Sequence, residues 1–513
     1  MIRSFLTVSS GTLASRLLGF ARDSIIAALL GAGAVADAFL VAFQMVNVVR
    51  RLLTEGALNA ALIPAWLRLR ETEGAAAAAA FAGRVLGTIS AALIVASVVI
   101  GFLMPLVIAA LAPGFVGRET LGLAVSNARL MLPYLAFAGP VTVMMGLMNA
   151  QARFALTAFS PLLFNIALIA VMAVLLVWRG DAARAAMIVA ATVGIAGLLQ
   201  LSILVLRGGR AATPLRIAFD KDMRGFLGKA VPGMIASSAP QWLMVAGAVI
   251  ASESPSAVSW LYFANRLIEL PLGIVGVAMG TVLIPEMTRA LHSDDRRAIA
   301  RTESRGLELA VGLALPATLG LIVLSEPVVR ILFEHGAFAA HDATATAHAL
   351  TWLALGLPAH VLVKALSPAF FAREDTSTPL FGALTAIVMA IVAAFLLRHW
   401  FGTQGIAAGI TLGAWSNALY LIRKGGATFG FSIDPEARDR LPRICLAALA
   451  MGALLWLLQE LSPLAAGSRG LAQAVLLLVV ILAAMASYGL FLKLFGVIGW
   501  REAVAAIRQN RSA

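Results

Sequence analysis

Charged side chains set inside apolar helices are the residues of this chain whose types and spacing could do chemistry. Between Ser15 and Glu55, two segments of membrane-spanning length carry Arg16, Arg22, Arg50 and Arg51 together with Asp23, Asp37 and Glu55. Further along, Arg266 and Glu269 share a third such segment, and Lys364 lies in a fourth with His360 one turn earlier. A charge at a bilayer centre costs about 2.5–3.5 kcal/mol on insertion scales, so these groups are expected to face a polar interior and to serve a function. The surplus is cationic, which points to noncovalent binding of an anionic cargo. Bond-making chemistry has no comparable support. The sequence holds no nucleotide-binding glycine loop with its lysine, no His/Cys/acid cluster at metal spacing and no serine elbow. No cofactor or metal is expected, and energy would come from gradients or from consumption of the product.

Helical spacing sorts these groups into faces. Gln44, Asn47, Arg51, Glu55 and Asn59 recur at steps of three or four and form one polar stripe. Arg51 and Glu55 are an i, i+4 pair that offsets part of its own charge. Arg50 points about 100° away, with no evident partner on its own helix, and is freer to hold a ligand. A hydrogen-bonded helix interface would also give such a stripe, though it would not need two arginines. Arg16 and Asp23, seven apart, share a face, while Arg22 sits about 120° round from Arg16. Both arginines reach one cavity only if the helix bends, and Gly19 between them is the place for it. The alternative for Arg22 is snorkelling to the interface; for Asp37, just after Gly31 and Gly33, it is capping the second helix. Ser259, Tyr262, Arg266, Glu269 and Gly273 make a corresponding stripe, with Glu269 placed to offset Arg266. His360 reads as a bonded packing residue more readily than as a proton carrier.

The elements that must position these groups are transmembrane helices. The chain has 513 residues, 61% hydrophobic and only 13% charged, with mean hydropathy +0.92, which describes an all-α polytopic membrane protein. Segments apolar all round for about 20 residues exclude the alternating strands of a membrane barrel. A net charge of +13 is explained by loop arginines facing an anionic leaflet, not by nucleic acid. The single cysteine, Cys445, excludes an intrachain disulfide and reads as packing. Arg16 interrupts the first apolar run and no small-residue cleavage site closes it, so that run is expected to stay as a helix.

Charge clusters and Gly/Pro turns divide the chain into about 14 spans. Their approximate limits are Ser4–Leu30, Asp37–Leu67, Val85–Leu111, Leu121–Asn149, Ala158–Val177, Ala185–Leu206, Gly225–Ala251, Val258–Met287, Leu307–Leu324, Thr344–Phe371, Pro379–Leu397, Gly405–Ile422, Leu441–Leu461 and Leu471–Leu494. Arg68, Arg70, Arg84, Arg207, Arg210, Arg216, Arg289, Arg423 and the tail Arg501, Arg508 and Arg511 fall on one side. The other side has little beyond Arg118, Arg179, Arg184, Arg330, Arg398 and Arg469, so both termini are expected in the cytoplasm. The chain also repeats itself. Leu62-Ile63-Pro64 recurs as Leu283-Ile284-Pro285, Arg84 as Arg305, Pro105 with Gly114 as Pro327 with Gly336, and Ala152-Arg153 as Ala372-Arg373. Four coincidences in register argue for two parallel six-span lobes, 1–215 and 216–430, with 431–513 outside the repeat.

Ser15-Arg16-Leu17-Leu18-Gly19-Phe20-Ala21-Arg22-Asp23, Ala36-Asp37-Ala38-Phe39, Asn47 through Gly56, Phe263-Ala264-Asn265-Arg266-Leu267 and Lys364-Ala365-Leu366-Ser367-Pro368 with Arg373 resemble the MurJ (MviN) family. These are bacterial lipid II flippases of the multidrug/oligosaccharidyl-lipid/polysaccharide exporter superfamily. The resemblance implies transport of undecaprenyl-diphosphate-MurNAc-pentapeptide-GlcNAc from the cytoplasmic to the periplasmic leaflet of the inner membrane for peptidoglycan synthesis. It implies two six-helix lobes rocking about a cationic cavity, and two last helices that groove the lipid tail. Partners would be lipid II, membrane lipids and cell-wall synthesis enzymes. By the same resemblance Arg16, Arg22, Asp37, Arg50 and Arg266 match residues needed for transport, and Asp23 a cavity residue. Asn265 stands where many relatives carry an acid, which removes a carboxylate role there. Leu384 to Leu397 lacks the Asn and Asp with which some relatives bind sodium, so no such site is expected. Arginine's planar fork suits the oxygens of a diphosphate better than a lysine ammonium does.

Three rivals share parts of this reading. A drug or ion antiporter of the same superfamily would favour an acidic, titrating cavity, and this one is net basic. A flippase for another polyprenyl-linked glycan shares the diphosphate and hence the arginines. A scaffold for cell-wall enzymes would not explain charges buried in both lobes.

Overall fold

The computed structural model describes residues 2–54, 57–178, 180–208, 215–237, 239–279, 286, 296–371, 373, 375–429, 434–461 and 470–497. Among these residues the regular structure is helical throughout, with no strand. A lipid-facing backbone must satisfy its own polar groups, and a helix does so within one segment. Numbered in chain order, the helices begin with α1 (Ile2–Leu30), α2 (Ala34–Thr54), α3 (Ala57–Thr72), α4 (Ala75–Phe102), α5 (Met104–Leu111), α6 (Glu119–Met131), α7 (Pro133–Ala150), α8 (Phe154–Trp178) and α9 (Ala182–Gly208). They continue with α10 (Lys221–Ser237), α11 (Ala239–Ala251), α12 (Ala257–Ala278), α13 (Arg296–Val323), α14 (Ser325–Phe333), α15 (Ala340–Ala354), α16 (Leu357–Phe371), α17 (Ser377–Phe429), α18 (Pro435–Leu461) and α19 (Leu471–Leu494).

Helix lies under every expected span, but several spans are broken. Among the described residues eight helices are long and apolar enough to cross a membrane, and α15 with α16 makes a ninth as one span bent by 40°. The remaining expected spans have physical reasons to fail that test. α1 and α12 carry their charges mid-helix, α2 and α3 divide the second span, and α10 and α11 divide the seventh. In the other direction, α17 counts once although it contains two expected spans, separated at Gly402 (φ 54°, ψ −131°). That backbone conformation is open to glycine and strained for other residues.

Compactness divides the chain into Met1–Ser259 with His335–Ala339, and Trp260–Glu334 with Ala340–Ala513. In the first unit α1 lies along α8, α2 against α6, and α7 against α4 and α9. Leu58, Leu62, Phe81, Val85, Met144, Leu147 and Phe226 close a core among α3, α4, α7 and α10. Phe81 and Phe226 meet edge to face at 6.0 Å. In the second unit α13 packs on α16 and α18, α17 on α15 and α16, and α18 on α19.

Two stretches of the chain break alike: a long helix (α4, α13) stops at one leucine, Leu103 or Leu324, and a short helix follows (α5 with Pro105, α14 with Pro327). A loop with Gly114 or Gly336 then leads to a broken pair, α6–α7 or α15–α16. Leu283-Ile284-Pro285 and Ala372 lie outside the described residues, as do Glu55, Arg179, Arg210, Arg289, Arg469, Arg501, Arg508 and Arg511.

Candidate functional site

Arg22 is buried in the first unit at 6% exposure and Asp23 beside it at 0%. The guanidinium donates to Asp23 Oδ1 from Nε (2.9 Å) and from Nη2 (2.7 Å), and from Nη1 to Asn165 Oδ1 (3.0 Å). Its flat face lies 4.9 Å from the centre of the Phe43 ring. Three helices thus fix one cation: α1 supplies it, α8 orients it and α2 covers it. Asn165 also donates from Nδ2 to the Ser15 carbonyl (3.3 Å), tying α8 to the turn that carries Arg16.

On α1 the snorkelling alternative for Arg22 is not taken up, and Asp23 is buried whereas Arg16, seven residues earlier and expected on the same face, is exposed. The guanidinium folds back onto the neighbouring carboxylate, because a buried pair needs contact more than it needs a common helix face. Arg16 lies on the exposed side with Leu13 and Leu17, and it makes no hydrogen bond or ion pair with a described residue. α1 runs unbroken through Gly19.

On α2, Arg50 is half-buried and donates from Nε to Asn47 Oδ1 at 3.3 Å, so it does have a partner on its own helix. Tyr134, buried on α7, stands edge-on to Phe164 at 5.2 Å, next to Asn165 on α8. Arg22, Asp23, Asn165 and Phe43 thus make one polar locus built by α1, α2 and α8. Arg51 is half-buried on the same helix as Arg50; its expected partner Glu55 is outside the described residues.

Asp37 caps a helix, but not its own. It occupies the first turn of α2, its amide bonded to the Gly33 carbonyl. Its carboxylate accepts the Ser256 amide at Oδ2 (2.8 Å), and the Ser259 amide (2.9 Å) and hydroxyl (2.5 Å) at Oδ1. Those groups form the N-terminal turn of α12, where unsatisfied amides and the helix dipole favour a negative charge. The carboxylate also supports Ser256 in a left-handed conformation (φ 64°).

In the second unit Arg266 donates from Nη1 to Glu269 Oε2 at 2.7 Å, with both side chains about a fifth exposed. Lys364, exposed on α16, brings Nζ to 3.3 Å from where a Cβ on Gly276 would stand. Gly276 follows Arg266 by ten residues, roughly 15 Å along α12. Arg266 and Lys364 are thus two separate cationic positions, and His360 is half-buried one turn before Lys364.

Sequence reasoning passed over Asn165, Tyr134 and Phe43. Asn165 carried a legible signal, since an amide within 25 otherwise largely apolar residues requires a partner. Phe43 carried none, because an aromatic in an apolar helix is ordinary packing until its guanidinium is seen.

The locus suits a noncovalent grip. Arg22 is neutralised and held rigid, whereas Arg16 is open, so an anion reaching α1 meets one movable cation and one fixed donor array.

A family model described as lipid II flippase MurJ matches residues 26–487. The probable lipid II flippase MurJ of Rhizobium tropici is 34% identical, covering 99% of this chain and 96% of its own. That of Rhizobium meliloti (strain 1021) is 36% identical over 97% and 94%. The lipid II flippase MurJ of Burkholderia cenocepacia is 34% identical over 83% and 84%. Among solved structures, a lipid II flippase MurJ in an inward closed conformation superposes with TM-score 0.79 at 22% identity, covering 97% of this chain and 100% of that one. An inward-facing multidrug MATE transporter of the MOP superfamily gives 0.65 at 15% identity, over 86% and 98%. The two structural likenesses speak for the fold.

Proposed function

The chain belongs to the lipid II flippase MurJ family, and from that premise we propose that it moves lipid II from the cytoplasmic to the periplasmic leaflet by alternating access. The observation that carries the mechanism is the burial of Arg22 with Asp23, Asn165 and Phe43 inside membrane helices. A dry ion pair is weak evidence for stability, since apolar residues of similar volume would serve as well or better. Its presence inside membrane helices favours a role with an anionic substrate. Arg16, Arg22 and Arg50 hold the diphosphate, and Arg266 with Glu269 supplies a further anion contact. Asp23, Asp37, Arg51, Glu55 and Lys364 take part in the conformational cycle. Moderate affinity is required, because the grip must release on the far side, and neighbouring carboxylates provide that moderation.

The lobes 1–215 and 216–430 are the moving bodies, and 431–513 accommodates the lipid tail. The protein sits in the bacterial inner membrane with both termini cytoplasmic, following the arginine-rich loops. The test is depletion in a cell, with lipid II exposure measured on each face. Lipid II should accumulate facing the cytoplasm, and a plasmid copy should restore it while Arg22→Ala should not. Restoration by Arg22→Ala at the native rate would overturn the role given to that residue.

A further inference from the structure

Away from the buried charges, residues 215–219 cross the start of α4 as a strap. The Arg216 amide donates to the Gly83 carbonyl at 3.5 Å, and Thr88 Oγ1 both accepts from the Ala218 amide (3.1 Å) and donates to its carbonyl (3.2 Å). Gly87 makes the crossing possible, since a Cβ there would lie 2.6 Å from the Arg216 oxygen. Arg84 fastens the end of the strap through Asp220 (3.2 Å) and Asp222 (3.5 Å). Beyond the strap opens a groove of about 550 Å³, floored by Ala91, Ala92, Val95 and Ala96 and walled by Ile217 and Phe219.

We propose that this groove is a binding site for one acyl chain of an anionic glycerophospholipid in the leaflet on the strap side. Thr88 to Val99, its two ends, span eleven residues or about 16 Å of helix, roughly one leaflet of a ~30 Å core. The outward face of α4 beyond it is apolar, with Val98 54% and Phe102 80% exposed, a surface that hydrocarbon covers. At the rim Arg216 is exposed and its side chain makes no hydrogen bond or ion pair with a described residue. Arg224, bonded from Nε to the Phe219 carbonyl (3.0 Å), adds a second charge nearby. The strap's Leu215, Ile217 and Phe219, each 63% exposed, would sit in the same interfacial layer. Such a site requires only that α4 spans the membrane, and it is independent of the transported cargo.

The test uses the full chain in phosphatidylcholine vesicles doped with phosphatidylglycerol bearing a photoreactive acyl chain, with crosslinks mapped by mass spectrometry. Labelling should concentrate at Ala92, Val95 and Ile217 over Phe102. Val95→Trp should strip the groove labelling and leave Phe102 labelled as the sign of an inserted protein. Arg216→Gln should cut labelling about fivefold, the worth of one cation near an anionic surface, and leave a phosphatidylcholine probe unaffected. If Val95→Trp fails to insert, the Arg216→Gln comparison decides alone. Equal labelling of groove and Phe102 with both headgroups would mean an undifferentiated lipid annulus and overturn the site. So would crosslinks between two copies through Ile217, or displacement of the probe by a polyprenyl diphosphate.

Discussion

Asn165 is the side chain on which the aim of Arg22 depends. It holds the guanidinium at one end and the Ser15 carbonyl at the other. Asn165→Leu removes a hydrogen bond to a charged group, worth about 1.5–3 kcal/mol. The expected outcome is a lower unfolding temperature and a fall in lipid II reaching the periplasmic face, read by its accessibility to an external probe. Arg22→Lys keeps the charge but loses the planar fork that puts two donors on Asp23 and a third on Asn165, so it is expected to fold and to transport poorly in the same assay. At this scale the sequence was half legible. Arg22 and Asp23 stand out because charge is costly in hydrocarbon, whereas Asn165 lies 143 residues away from Arg22 and no local pattern links the two. The Asn47–Arg50 contact is hidden for a different reason: Asn47 also stands four residues before Arg51, so spacing alone offers it two arginines.

Among elements, helix beginnings are where acids act. Asp37→Ala takes two amides and a hydroxyl from their acceptor at the start of α12, and a lost cap costs about 0.5–2 kcal/mol. Thermal unfolding should register that loss, and Asp37→Asn should recover part of it. Asp375 does similar work at the start of α17, accepting the Thr378 amide (2.9 Å) and the Ser377 hydroxyl (2.8 Å). Hydrogen bonds from Thr378 first, and from Ser377 after it, hold its carboxyl below the usual carboxylate range. A depressed carboxyl contributes stability above its unfolded value, near 3.9, and loses it as pH falls through the folded value. Acidification from pH 5 to below 3 should therefore lower the unfolding temperature of the native chain more than that of Asp375→Asn. Helix positions were legible from apolar length and turn residues. The breaks at Leu103 and Leu324 were not, because Pro105 and Pro327 sit at helix starts, where proline is tolerated and leaves no apolar gap.

For the whole molecule, orientation is the property that arginine placement sets. A cysteine replacing Glu73, in the turn between α3 and α4, should react with an impermeant maleimide only after cells are opened. One replacing Ala182, at the start of α9, should react in intact cells; the reverse pattern would invert the topology. Of the four motif pairs that suggested a duplicated plan, the Pro105/Pro327 pair falls at matching short helices, α5 and α14, while Leu283-Ile284-Pro285 and Ala372 lie outside the described residues. The hairpin within α17 carries a different kind of consequence. A Cβ on Gly409 would lie 2.4 Å from the Ala394 backbone, and one on Gly413 would lie 2.6 Å from the Ala386 oxygen. With so little between them, the two arms present a single paired surface as soon as both have left the ribosome. Biogenesis, not the transport cycle, is then where a bulky residue at position 409 would be felt. Cells making such a variant should show it degraded before it reaches the bilayer.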